Sequence, residues 1–248
     1  MALTTKEFAE RRPPWQWAAV GVAVAVVAAL IVAMVHRHSG GEQDQRPQTR
    51  GGEITQSTGK GSVLPQTPSL EKSPSDPDWL TAAPHYISWQ RVDGVPFPFS
   101  DSDGPAHIDG PIAAGYSHTP QGAVMAAAHI TFRLTWSPDY AQVLSKQAKV
   151  SDITRTELLA ARDHGGTIPT DMLAQVATAP IAFKVESYTP QEARVYLAFP
   201  THSDVYRFAP VAVVWDGGDW KFSDDVTSTP ALADSPSMTG FTSLRENR

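Results

Sequence analysis

The sequence predicts an α+β protein with an N-terminal transmembrane helix, a disordered linker, and then helices packed on a curved antiparallel sheet. Three observations carry this prediction. Ala18 to Val35 has no charged or hydrogen-bonding side chain. A glycine- and proline-rich stretch without aromatic residues follows it. Beyond Trp79, capped helical segments come first and alternating strands come last. The boundaries read as a cytoplasmic tail over 1–17, a transmembrane helix over 18–35, a linker over 36–78, a soluble domain over 79–230 and a flexible tail over 231–248.

The apolar run reads AAVGVAVAVVAALIVAMV. As a helix it spans about 27 Å at ~1.5 Å per residue, close to the thickness of a hydrocarbon core. Trp15 and Trp17 precede it, where amphipathic rings favour the interface. A cleaved signal peptide has a shorter apolar region and a small-x-small site. Here the run leads into Met34-Val35-His36-Arg37, so an uncleaved signal anchor is the reading. The pair Arg11-Arg12 and the short N-terminal tail favour an N-in, C-out orientation, although Arg37, Arg46 and Arg50 nearly balance them. Gly21, Ala25, Ala29 and Ala33 form a stripe of small residues on which two such helices can approach, a route to a homo-oligomer. Chance in an Ala/Val-rich segment produces the same stripe.

From Ser39 to Asp78 there is too little apolar surface to offset the entropy of ordering the chain. A coil of about 40 residues reaches roughly 35 Å, which suits a partner not flush with the bilayer. There are no cysteines, which removes disulfides, thiolate metal sites and cysteine nucleophiles, and favours a bacterial envelope protein over an animal ectodomain. Trp79 to Pro230 carries 10 Lys/Arg against 16 Asp/Glu with no basic run, so direct nucleic-acid binding is not expected.

Within the domain, Tyr86 to Val92 has strand character. Val95-Pro96-Phe97-Pro98-Phe99 is excluded from a central strand because proline gives no ladder donor, and an extended arm packed by Trp89, Phe97 and Phe99 is expected. Thr119-Pro120 is an N-cap followed by proline at the first helical position, opening an Ala-rich helix over Gln121–Thr135. Ser137-Pro138 opens a shorter helix to about Gln147. Thr154-Arg155-Thr156-Glu157 has the form of a capping box, with Ile153 and Leu158 placed as a hydrophobic staple, and Gly165-Gly166 ends that helix. A short helix is expected from Thr170 to Ala177. Strands follow at Ile181–Glu186, Arg194–Phe199, Tyr206–Trp215 and Trp220–Phe222, joined by short loops that favour an antiparallel meander. After Asp225 the chain turns polar and is expected to fray.

This element order, with Val213-Val214-Trp215-Asp216-Gly217-Gly218-Asp219-Trp220-Lys221-Phe222, resembles the nuclear-transport-factor-like, cone-shaped α+β fold over roughly Pro120 to Asp225. Together with the anchor and linker it resembles the VirB-type and TcpC-like assembly subunits of conjugation and type IV secretion machines. Ser88-Trp89-Gln90-Arg91-Val92, Gly104-Pro105 and Gly115-Tyr116-Ser117-His118-Thr119-Pro120-Gln121-Gly122-Ala123 are similar to an uncharacterised domain of actinobacterial mobile-element membrane proteins. The resemblance implies a non-enzymatic scaffold whose partners are the lipid bilayer and other subunits of a membrane complex.

No catalytic residue, cofactor or metal site is assigned. Gly115-Tyr116-Ser117-His118-Thr119 lacks the second glycine of a nucleophile elbow. Asp101-Ser102-Asp103-Gly104 with Asp109 lacks the third early ligand of a calcium loop, and Ile112 stands where a glutamate is needed. His107, His118, His129 and His164 lack zinc-ligand spacing. The alternative function is a tethered small-ligand module or small enzyme using the cone interior. Its candidate pocket is His129, Tyr140, Tyr196 and Trp215, with His129 placed beside Asp139 or Tyr140 for proton transfer. Core packing is the competing reading of these aromatics, with Trp136, Tyr206 and Trp220.

Overall fold

The computed structural model describes residues 62–64, 72–165, 168–201, 204–225 and 229–246. The predicted span Ala18–Val35 lies outside these residues. Among them no helix is long and apolar enough to cross a membrane. The described part is α+β, with helices packed on a mixed sheet.

Strand β1 (Ser62–Val63) pairs with β4 (His107–Asp109), which pairs in turn with β5 (Ile112–Ala114). Part of the stretch read as linker is therefore built into the domain, and Leu64 continues the contact by donating its amide to Ala106 O at 2.8 Å. β2 (Ser88–Val92) and β3 (Val95–Phe99) form a separate two-stranded hairpin. Both strands are edges, so Pro96 and Pro98 are tolerated. The two-residue turn Asp93-Gly94 has φ of 50° and 83°, the positive pair that suits a tight hairpin. Gly94 is also required by contact, since a Cβ there would meet Thr170 O at 2.6 Å and Ala174 N at 2.8 Å.

Helix α1 (Pro120–Trp136) is the centre of the molecule. Thr119 is extended, and its Oγ1 accepts from Gly122 N at 3.1 Å, one of the amides a helix start leaves unpaired. Every residue from Pro120 to Ile130 is buried. Up to Ile130 the helix has no solvent face and so is not amphipathic: the sheet packs on one side and the β2–β3 hairpin on the other. Its alanines allow that close double packing. Thr119→Ala is expected to cost about 1 kcal/mol, with Thr119→Ser, which keeps the hydroxyl that faces Asp103, restoring most of it. Urea unfolding of the full-length chain measures this, and an unchanged midpoint would count against the cap.

α2 (Tyr140–Gln147) is followed by β6 (Ala148–Lys149), α3 (Asp152–Gly165) and α4 (Thr170–Val176). The cap of α3 lies one residue triplet earlier than the sequence predicts. Ser151 Oγ accepts from Thr154 N at 3.2 Å, so Thr154 sits inside the first turn. Ile153 is 57% exposed and forms no staple. Ser151 wins because Asp224 accepts its amide at 3.0 Å, fixing the chain there.

β7 (Ala182–Tyr188), β8 (Glu192–Pro200), β9 (Tyr206–Asp216) and β10 (Asp219–Ser223) form the predicted antiparallel meander. The sheet itself is mixed: β6 joins β10 in parallel, and β11 (Thr242–Ser243) joins β7 antiparallel. The segment read as a flexible tail contributes β11 to this sheet. Phe241 packs on Phe208 with ring centroids 4.7 Å apart, and Leu244 is 0% exposed. Phe183, Val195, Leu197, Val211 and Val213 face α1. Tyr196, Ala198 and Phe208 face the other way, where Met238 and Phe241 cover them. That covered back face is what holds the C-terminal segment.

Candidate functional site

The six anchor positions Ala18, Gly21, Ala25, Ala29, Ala33 and Val35 lie outside the described residues. The four candidate pocket residues are described, and the structure does not bring them together. His129 is 0% exposed on α1, stacked on Phe97 at 5.1 Å and edge-on to Phe99 at 5.1 Å. Its Nε2 donates to Pro98 O, and its Nδ1 has no partner. Burial, then the positive charge of Arg133, push its pKa down from 6.5 to about 3, against the hydrogen bond to Pro98, so the ring is neutral. Tyr140 opens α2, is not among the rings that contact His129, and its hydroxyl donates to Asp163. That hydrogen bond raises its pKa, with smaller contributions from burial and the Asp163 charge.

Tyr196 is on the back of the sheet, donating to Pro230 O at 2.5 Å. The strand period explains this: Tyr196 stands between Val195 and Leu197, which face α1, and so points oppositely. Trp215 stacks on His118 with centroids 3.9 Å apart and meets Trp220 edge-on at 5.3 Å. The predicted proximity of His129 to Asp139 or Tyr140 is thus replaced by an aromatic cage, because α1 buries His129 against the hairpin rather than against α2.

The Asp101–Gly104 turn and the Gly115–Thr119 segment meet at the start of α1. Asp103 is 4% exposed and accepts from Ser102 Oγ and Ser117 Oγ, each at 2.8 Å, and from His85 N at 3.2 Å. Ser117 Oγ also pairs with the capping Thr119 Oγ1 at 2.7 Å. Ser117 is thereby held inside the cap rather than presented as a nucleophile. Neighbouring His118 turns away, its Nε2 2.5 Å from Pro190 O. The hairpin completes the knot. Asp219 accepts from Gly115 N at 2.8 Å, Tyr116 N at 3.2 Å and Trp220 N at 2.9 Å, while Trp220 Nε1 donates to Ser117 O at 2.9 Å. Burial raises the Asp219 pKa against the lowering effect of those three amides. Among the described residues no three His, Asp or Glu side chains gather as a metal site.

Two arginines belong to no sequence motif. Arg133, on α1, is 4% exposed, with its guanidinium 4.8 Å from the Phe97 ring centre. Burial lowers its pKa, opposed by the Tyr116 hydroxyl and the Asp93 charge. Arg162, on α3, lies over the Tyr140 ring at 4.8 Å and donates from Nη2 to Ser137 O at 2.9 Å. Arg162 lines a cleft of about 240 Å³ with Asp93 at the hairpin tip, Trp136 at the end of α1, and Ile168 and Leu173 at α4. Both arginines sit in segments whose sequence reads as ordinary helix, and no local signal separates them from surface cations.

The family model described as a domain of unknown function, DUF8175, matches residues 54–243. It begins inside the predicted linker and ends inside the predicted tail, so β1 and β11 both fall within it. No curated protein and no solved structure matches the chain.

Proposed function

The chain belongs to the DUF8175 family, and from that premise we propose that it is a membrane-anchored, non-enzymatic scaffold or interaction subunit of a bacterial conjugation or type IV secretion-like apparatus. The observation that carries the reading is the uninterrupted apolar run Ala18–Val35, placed just before the family domain. The helix anchors the chain in the plasma membrane, and the Arg11-Arg12 pair keeps the short tail in the cytoplasm. The domain then stands outside, in a nuclear-transport-factor-like cone formed by the helices and the β7–β10 meander. Its partners are other subunits of the membrane complex and, through the small-residue face at Gly21, Ala25, Ala29 and Ala33, a second copy of itself.

The fates of the polar side chains support a structural domain. Asp103, Ser117, Thr119 and Asp219 spend their hydrogen-bonding capacity on the start of α1. The space between α1 and the sheet is filled by side chains such as Met125, Phe183 and Trp220, which weighs against a ligand in a cone interior.

Membrane fractionation and a mating assay test the proposal. The full chain is expected to stay in the pellet after alkaline carbonate washing, and a chain lacking residues 18–35 to move to the supernatant. Protease added to intact spheroplasts is expected to remove the domain. Deletion of the gene is expected to lower DNA transfer, with restoration by the anchored chain and not by the anchorless one. Wild-type transfer by the deletion strain, or carbonate release of the full chain, would sink it.

A further inference from the structure

We infer that the cleft bounded by Asp93, Trp136, Arg162, Ile168 and Leu173 binds a small apolar monocarboxylate, with the Arg162 guanidinium receiving the carboxylate. This site is independent of the tether reading, because it concerns the described domain alone.

The cleft holds about 240 Å³, room for roughly eight waters at ~30 Å³ each. Trp136, Ile168 and Leu173 supply an apolar wall. Arg162 supplies a cation whose direction is already fixed: the Tyr140 ring lies 4.8 Å beneath it, and Ser137 O takes one Nη2 hydrogen at 2.9 Å. Tyr140 is tied in turn to Asp163. No carboxylate among the described residues forms an ion pair with Arg162. A guanidinium held in place, with no ion-pair partner among the described residues, is suited to a carboxylate.

Asp93 determines the charge of the ligand. It lines the same cleft, and its charge acts on buried Arg133 behind it. A dianion such as a phosphate monoester meets repulsion from Asp93 and finds one cation, Arg162, among the described lining residues. A monocarboxylate places its one charge at Arg162 and its hydrocarbon against Trp136 and Leu173. Such a group comes from a free organic acid or from the C-terminus of a peptide ending in an apolar residue.

Isothermal titration of the full-length protein in detergent tests this, with phenylacetate, phenylacetamide, and acetyl-Ala-Leu as free acid or amide. Phenylacetate is expected to bind saturably and its neutral amide at least roughly tenfold more weakly, the scale of a lost charge-assisted contact. Arg162→Gln is expected to lose the same factor, and Arg162→Lys to fall between. Asp93→Asn, which keeps a residue suited to positive φ in the turn, is expected to tighten binding several-fold without relying on the Arg162 variants folding. If only phenylacetate binds, the ligand is a free acid. If the peptide acid binds and its amide does not, the ligand is a C-terminus. Equal binding of acid and amide, unchanged binding by folded Arg162→Gln, or no saturable binding of any probe up to its solubility would overturn the inference.

Discussion

Gly122→Ala is expected to destabilise the domain by about 3 kcal/mol or to prevent it from folding, although alanine is the better helix former. In an exposed helix the exchange gains about 1 kcal/mol. Here the sign reverses because of what stands beside the helix. A Cβ on Gly122 would lie 2.0 Å from Ser117 O, 2.5 Å from Ser117 Oγ and 2.7 Å from Ser117 C. These atoms cannot move aside cheaply. Ser117 O accepts the Trp220 indole N–H, and Ser117 Oγ donates to Asp103, itself buried. Shifting the segment by an ångström breaks both bonds and the cap at Thr119, each contributing about 1 kcal/mol, or more where a charge is involved. Overpacking alone costs ~1–3 kcal/mol. Equilibrium urea unfolding of the full-length variant beside wild type reads the difference. A variant as stable as wild type, or more so, would show that the Ser117 segment yields and is not a fixed knot.

That knot marks the border of what the sequence discloses. Thr119-Pro120 announces the start of α1, and the alternation around Val195 and Leu197 announces both the strand and the face opposite Tyr196. Both are local signals, set by one residue's backbone preference or by a period of two. β6 and β11 have only two residues each, too few to show any period, so the mixed sheet was not legible. The C-terminal segment looked polar because Met238, Phe241 and Leu244 are spaced apart among serines and threonines. Met238 and Phe241 meet Tyr196 and Phe208, thirty or more positions earlier, and Leu244 enters the core cluster on the α1 side. The cap of α3 was ambiguous in principle: Ser151 and Thr154 both precede a hydrogen-bonding residue by three, and the choice falls to Asp224, more than seventy positions away. The cleft at Arg162 depends on the hairpin tip, α1, α3 and α4 meeting, which no single stretch encodes. His129 was legible as a residue of interest and not in its surroundings, since the hairpin that cages it precedes it by thirty residues.

His129 is expected to make the domain lose stability as pH falls from about 6.5, well before the carboxylates titrate. In the folded chain its pKa lies at about 3, lowered first by burial and next by Arg133 one helical turn away. In the unfolded chain it returns to the ordinary value near 6.5. Above that value neither state holds the proton, and the neutral ring's contribution is fully present. Below it the unfolded chain takes up a proton that the folded chain refuses, so stability falls by about 1.4 kcal/mol per pH unit until the folded value is reached. From pH 7.5 to pH 5 this one residue accounts for a loss of roughly 2 kcal/mol. The structural cause is specific. Pro98 O satisfies one ring nitrogen, while Nδ1 has no partner to receive a second proton and faces a cage of Phe97, Phe99 and Tyr116. A proton there would bury a second positive charge beside Arg133. Unfolding free energies measured from pH 7.5 to 5 in wild type and in His129→Gln isolate the effect, since every other group is common to both. The wild type is expected to show the additional slope and the variant to lack it, whatever its stability at pH 7.5. A parallel NMR titration is expected to leave the His129 ring signals unshifted down to about pH 4. Equal slopes in the two proteins, or a ring that titrates near 6.5 in the folded state, would mean that the cage admits water and that His129 is not the buried neutral group described.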